Sequence, residues 1–206
     1  MNYGKTFIGA VLAGIAIGLG GLVFLSVDNK VIGSFLFTIG LFTVCTMGFN
    51  LFTGKVCYTF QNDTAYKIGL PVIWLGNLAG TGLTAGCAWM TRVAPAVSEK
   101  AMGLCQTKLG DSYASLFFLG ILCNIFIYIA VDGYKNNPHE LGKYLALLFG
   151  VMVFILMGTE HCVADMFYFW MGGVWSGHAV AAILVITLGN TVGGVLFPLL
   201  RRIIRA

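Results

Sequence analysis

The stretch Met47-Gly48-Phe49-Asn50-Leu51-Phe52-Thr53-Gly54-Lys55 is echoed 110 residues later by Met157-Gly158-Thr159-Glu160-His161-Cys162-Val163-Ala164-Asp165. Each interrupts an apolar run with a glycine followed by polar residues. Two further echoes keep the same order along the chain. Leu75-Gly76-Asn77 matches Leu188-Gly189-Asn190, each with a glycine three residues on (Gly80 and Gly193), and Ala13-Gly14-Ile15 is matched more weakly by Leu119-Gly120-Ile121. The two copies, about 1–93 and about 108–206, cover three apolar runs each and together make a single transmembrane domain over 1–206. Three is odd, so in a bilayer the second copy runs upside down. Inverted repeats of this kind place their site near the midplane, where paired helices are broken.

The bilayer follows from composition. Of 206 residues, 58% are hydrophobic and 10% are charged, against about 25% charged in a soluble domain; mean hydropathy is +0.88. These values exclude a water-soluble globular domain and a disordered tail. The net charge of +4 is scattered, so no nucleic-acid partner is expected. Uncharged runs cover 6–27, 31–54, 68–91, 112–131, 144–159 and 166–200. A span needs about 20 apolar residues, so the 16 residues of 144–159 are too few and the 35 of 166–200 too many. A fifth span of roughly 140–171, carrying Glu160, His161 and Asp165 inside the membrane, with a sixth at about 176–200, resolves both. The fold expected is therefore all-α, with six transmembrane helices as two inverted three-helix repeats and helices 2 and 5 broken. The first run, 22 residues long with no Ala-x-Ala exit, reads as a span and not as a cleavable signal peptide.

Basic residues favour the cytoplasmic side of a membrane. With the N-terminus inside, Lys5, Lys67, Lys135, Lys143, Arg201, Arg202 and Arg205 fall inside and Lys30, Arg92, Lys100 and Lys108 outside, so both termini are expected in the cytoplasm. The six cysteines show no paired spacing and read as reduced packing residues.

The intramembrane polar residues are the site candidates. His161 stands alone of its type deep in a span, and an intramembrane ionisable group is a functional candidate by default; imidazole gives or takes a proton near neutral pH. Glu160, its sequence neighbour, points about 100° away on a helix and is assigned to tethering the broken backbone or a neighbouring helix. Asp165, four residues after His161, completes only a two-ligand set, too few for a metal site, so no metal or cofactor is expected. No hydrolytic triad pattern is present, and an enzyme is not expected. Lys108, just before span 4, suits either drawing anions or anchoring headgroups. Thr53 and Asn124 suit either donating in a pore or bonding between helices.

With these residues in view, the chain resembles the formate/nitrite transporter family. Gly158-Thr159-Glu160-His161-Cys162-Val163-Ala164-Asp165-Met166 is similar to its G-x-E-H-S-x-A-N-M stretch, Leu51-Phe52-Thr53-Gly54 to its L-F-T-G loop, and Phe118-Leu119-Gly120-Ile121-Leu122-Cys123-Asn124 to its F-L-G-I-L-C-N stretch. The resemblance implies an aquaporin-like homopentamer in a prokaryotic inner membrane, each protomer with its own pore for formate, nitrite, hydrosulfide or lactate. It implies His161 as the central pore histidine, Thr53 opposite it, Asn124 nearby, Lys108 in the vestibule, and Phe37, Leu41, Leu51 and Phe154 as the apolar constriction. Two residues depart from the family pattern: Asn50 stands where it usually has Glu, and Asp165 where it usually has Asn. Both are expected to tune His161 or substrate choice. Many members carry a longer N-terminal segment linked to pH gating, so such gating is not expected here.

The mechanism expected is passive passage of a small weak-acid anion in its neutral protonated form, since a bare anion in an apolar constriction is costly. The proton would come from His161 or from water relayed by it. The acid would pass Phe37, Leu41 and Phe154 on one side and Leu51 on the other. Membrane lipid and small anions are the expected partners. The competing reading is a neutral-solute channel of the water or glycerol type. Its Asn-Pro-Ala signatures are missing, because the four prolines (71, 95, 138, 198) lie outside both breaks.

Overall fold

The computed structural model describes residues 2–204; Arg205, assigned above to the inner side, lies outside them. Among the described residues the chain is helical: α1 (Tyr3–Ser26), α2 (Lys30–Met47), α3 (Phe52–Val56), a single 3-10 turn (Thr59–Gln61), α4 (Thr64–Trp89), α5 (Ala94–Leu109), α6 (Tyr113–Asn136), α7 (Glu140–Met157), α8 (Cys162–Gly172) and α9 (Gly177–Ile203). Six of them, α1, α2, α4, α6, α7 and α9, are long and apolar enough to cross a membrane. The protein is a multi-pass membrane protein, and its spanning helices expose large apolar side chains such as Ile39, Phe118, Phe149 and Leu188.

Five of the six long apolar helices start on a side-chain cap. The side chains of Asn2, Asn29, Asp63, Ser112 and Ser176 each accept a hydrogen bond from a backbone N–H in the first turn of α1, α2, α4, α6 and α9, which satisfies donors that a helix N-terminus leaves unpaired. The second and fifth spans are broken as expected: α2 stops at Met47 and α7 at Met157, and the short helices α3 and α8 resume after four residues each.

Packing follows the repeat. Helix α1 lies against α4 as α6 lies against α9, and α2 and α7 meet across the middle. The contacts are close because glycines remove the side chain at the crossing. A Cβ on Gly80 would collide with the Val11 carbonyl, and one on Gly193 with the Ile121 carbonyl. Val11 and Ile121 are 110 apart, so the first span aligns at that offset. The weak echo of Ala13-Gly14-Ile15 in Leu119-Gly120-Ile121 is thus one helical turn out of register; Ala10, not Gly14, occupies the place of Gly120.

One element was absent from the sequence reading. The connection between the halves folds as α5, a helix of 16 residues with Pro95 in its first turn and Lys108 in its last. It packs on α8 and is tied to the α1–α2 loop by Lys100 Nζ on Asp28 Oδ1 at 2.7 Å. The ammonium holds that exposed carboxyl below its usual range.

Gly80→Ala should destabilise the protein by about 1–3 kcal/mol through overpacking. Gly86→Ala, on the same helix with open space beside it, should stabilise by up to about 1 kcal/mol. Thermal unfolding of the detergent-solubilised protein checks both, and equal melting temperatures would refute the close α1–α4 crossing.

Candidate functional site

The site is built on the two helix breaks. Gly48 and Gly158 cap α2 and α7 in the left-handed region at φ +71° and +70°, a conformation that glycine adopts without strain. Phe49 N–H reaches back to Val44 O and Thr159 N–H to Phe154 O, closing each helix with the same turn. The next residues donate to the neighbouring span: Asn50 N–H to Gly9 O and Glu160 N–H to Leu119 O. Two wholly buried asparagines then do the same work in each half. Asn77 accepts from Phe52 N–H at 2.8 Å and donates to Ala10 O and Asn50 O at 2.8 and 2.9 Å. Asn190 accepts from Cys162 N–H at 2.9 Å and donates to Gly120 O and Glu160 O, both at 2.8 Å.

His161 begins α8. It is 2% exposed. Its Nδ1 accepts from Ala164 N–H at 3.1 Å, and its Nε2 lies 2.9 Å from Thr53 Oγ1 on the other broken helix. A backbone N–H only donates, so Nδ1 carries no proton; the ring's proton is on Nε2 and is donated to Thr53. The ring stacks on Phe154 with centroids 5.5 Å apart, and Phe154 meets Phe37 edge-on at 6.1 Å. Asn124 sits behind this pair. Its amide donates to Thr53 O at 3.1 Å and Asn190 O at 2.7 Å, so both its protons hold backbone in place.

Two small cavities approach the His161–Thr53 pair from opposite sides. One, of about 90 Å³, is lined by Lys108, Phe154, Thr159, His161 and Asp165 among others. The other, of about 80 Å³, is lined by Leu41, Phe49, Leu51, Lys55 and Lys135 among others. The apolar residues therefore group differently from the sequence reading. Leu41 faces the same cavity as Leu51, Phe154 faces the opposite one, and Phe37 is buried between helices. An open hollow of about 900 Å³ near Tyr58, Asp132 and Arg201 shares no lining residue with either cavity.

The two cavities differ in charge. Lys108 Nζ binds Glu160 Oε2 and, at 2.9 Å, Asp165 Oδ1, all three side chains being nearly or wholly buried. Glu160 thus tethers the break to α5. On the other side, neither Lys55 nor Lys135 pairs with a carboxylate among the described residues; Lys135 Nζ lies 4.2 Å from the centre of the Tyr58 ring. Asn50 donates its side-chain amide to Thr6 O at 3.2 Å. Sequence reasoning missed the two lysines, and it quoted Asn77 and Asn190 only as repeat markers. A buried amide at matching places in both halves was the signal for their role.

The family model described as Formate/nitrite transporter matches residues 1–203. A probable formate transporter of Methanothermobacter thermautotrophicus is 28% identical, over 94% of this chain and 86% of its own. The nitrite transporter NirC of Salmonella typhimurium is 30% identical, over 93% and 79%. Among solved structures, an FNT family ion channel superposes with a TM-score of 0.86 at 25% identity, covering 100% of this chain and 91% of that one. A pentameric formate channel with formate bound gives 0.81 at 24%, covering 98% and 97%.

Replacing Asn190 by Ala leaves the Cys162 N–H and two carbonyl partners bare. Each buried group so stranded costs about 1–3 kcal/mol, and Asn77→Ala should be as damaging. Thermal unfolding in detergent tests this; a variant as stable as the unaltered protein would show that the breaks are held by something else.

Proposed function

Because this chain belongs to the formate/nitrite transporter family, we propose that it is a passive channel for small monovalent weak-acid anions (formate, nitrite or hydrosulfide). The family is one of channels and transporters, not enzymes. The observation that carries the reading is the His161–Thr53 pair, closed in among apolar side chains between two lysine-bearing cavities. Lysines raise the local concentration of anions. The apolar layer between them rejects bare ions, so what crosses is the neutral acid.

At the midpoint the chain supplies donors and no net charge. His161 Nε2–H donates to Thr53 Oγ1, which leaves the threonine hydroxyl free to turn its own proton toward a passing oxygen or sulfur. Protonating the ring at Nδ1 would break the bond from Ala164 N–H. We therefore assign His161 the role of a fixed neutral donor, with the solute taking its proton in the vestibule before reaching the pair. Phe154 and Phe37 keep water from this side of the ring, and Leu41 and Leu51 do so from the other.

The likeness to the solved pentameric channel supports a homopentamer in which each protomer has its own pore. The Lys/Arg pattern supports a cytoplasmic location for both termini and for the Lys55 cavity, and the bacterial relatives support a prokaryotic inner membrane.

Flux into liposomes should be followed for formate, nitrite, hydrosulfide and glycerol side by side at two pH values. At least one of the acids should outpace glycerol, with formate flux rising as pH falls. Thr53→Val should lower that flux by roughly two- to tenfold, the loss of a neutral hydrogen bond of about 0.5–1.5 kcal/mol. Glycerol crossing fastest would overturn the reading in favour of a neutral-solute channel.

A further inference from the structure

The cluster of Lys108, Glu160 and Asp165 contains one base and two acids. Lys108 Nζ contacts Glu160 Oε2 and Asp165 Oδ1. The side chain of Asp165 is 1% exposed, and its second oxygen, Oδ2, has no hydrogen-bond partner in the protein. Asp165 lines the cavity that leads to His161, and Glu160 does not. Asp165 thus lines the cavity while one of its carboxyl oxygens is buried and unpartnered among the described residues.

Charge arithmetic decides its state. Were both acids ionised, the cluster would carry a net negative charge away from water. Such a charge is costly by several kcal/mol per ion, and two carboxylates sharing a site do not readily ionise together. One proton therefore stays with the pair. The other groups around Asp165 do not alter the count. Cys105 of α5, Cys123 of α6, and Cys162 and Tyr168 of α8 are neutral residues, and the His161 ring is held neutral by its bond from Ala164 N–H. Lys30 of α2, which lines the same cavity, is exposed to solvent and donates Nζ to Leu156 O at 3.3 Å, outside the buried cluster. The backbone N–H of Asp165 is spent on His161 O, and among the described residues no group donates to Oδ2. An asparagine at this position would give a neutral cluster with no proton to transfer.

We propose that Asp165 holds this proton on Oδ2 and is the donor that neutralises the permeating anion in the Lys108 vestibule. The step rests on the weak-acid channel reading and deepens it. Formate arrives beside the Lys108 ammonium. The O–H bond of Asp165 breaks and a new O–H bond forms on formate, giving formic acid and a short-lived Asp165 carboxylate beside Lys108. The negative charge that formate brought is passed to the cluster, so the site's total charge is unchanged by the transfer. Formic acid moves on to the His161–Thr53 pair. A hydronium ion from the vestibule water reprotonates Asp165. Solute from the other side runs the same steps in reverse, handing its proton to the Asp165 carboxylate.

The test has two independent readouts on the full-length protein. In the first, liposome flux at fixed total formate is measured from about pH 5 to pH 8. A bulk-protonated solute loses about tenfold in flux per pH unit across this range, because its acid fraction does. The unaltered channel should instead show a plateau at the acid end, where Asp165 is reloaded before each transfer, and then fall. Asp165→Asn should abolish the plateau and follow the bulk acid throughout. In the second, infrared difference spectra of Asp165→Asn against the unaltered protein near neutral pH should show the carbonyl band of a protonated carboxylic acid lost. That band can also be titrated in the unaltered protein alone, should the variant fold poorly. Identical pH slopes in the two proteins, or no protonated-acid band, overturns the donor role while leaving the channel reading intact. No flux of formate, nitrite or hydrosulfide in the unaltered protein overturns the channel reading, and the donor role with it.

Discussion

A helix broken inside a bilayer exposes backbone N–H and C=O groups where no water satisfies them. The rest of this structure depends on how that constraint is met. In each half the solution is the same: a left-handed glycine, a main-chain bond from the break to the next span, and a buried asparagine that accepts from the restarting helix and donates to two carbonyls. The asparagines stand on the third span of each repeat and reach both the first span and the break. They therefore fix the relative heights of all three. The glycine crossings of α1 with α4 and of α6 with α9 are what bring those spans close enough for one amide to bridge them.

Once the breaks are pinned, the side chains at their midpoint have little freedom. His161 caps its own half-helix through Nδ1, and that bond determines which nitrogen carries the proton and where the ring points. Thr53 is held from behind by Asn124, which also grips the carbonyl of Asn190. The chemistry at the centre is thus tied to the same network that keeps the backbone satisfied. Positions equivalent under the repeat make the site one pair and not two: Leu51 stands where the other half has His161, and Val163 where it has Thr53.

Much of this was legible from one sequence. The spans follow from where charges fall, and both breaks from Gly48 and Gly158 followed by polar residues at a common offset. His161 stood out because an ionisable side chain at that depth needs a reason. The illegible parts have physical causes. Helix α5 has mixed composition and no long apolar run, so a span-based reading passes over it. The first-span echo slipped by one turn because small residues recur along that helix, and glycine spacing alone fixes no register. Lys55 and Lys135 are far apart in sequence, and only the folded chain brings them to one cavity. The pairing of Lys108 with Asp165 joins α5 to α8 across a long stretch of chain, a contact that sequence spacing does not encode.

The symmetry of the backbone makes the asymmetry of the charges informative. Position 50 is Asn where position 160 is Glu, and position 55 is Lys where position 165 is Asp. One scaffold, used twice, therefore presents to one cavity a lysine that pairs with no carboxylate among the described residues, and to the other an acid held by a lysine. A passive channel cannot derive net direction from this, since the gradient alone sets net flow. What the asymmetry sets is where each event takes place. Both cavities have a lysine that pairs with no carboxylate among the described residues, Lys55 and Lys135 on one side and Lys30 on the other, and such lysines concentrate anions. What the Lys108 side alone adds is a buried carboxyl lining the cavity. On the proposed donor role of Asp165, proton exchange therefore belongs to the Lys108 end alone, with the His161–Thr53 pair between the two cavities.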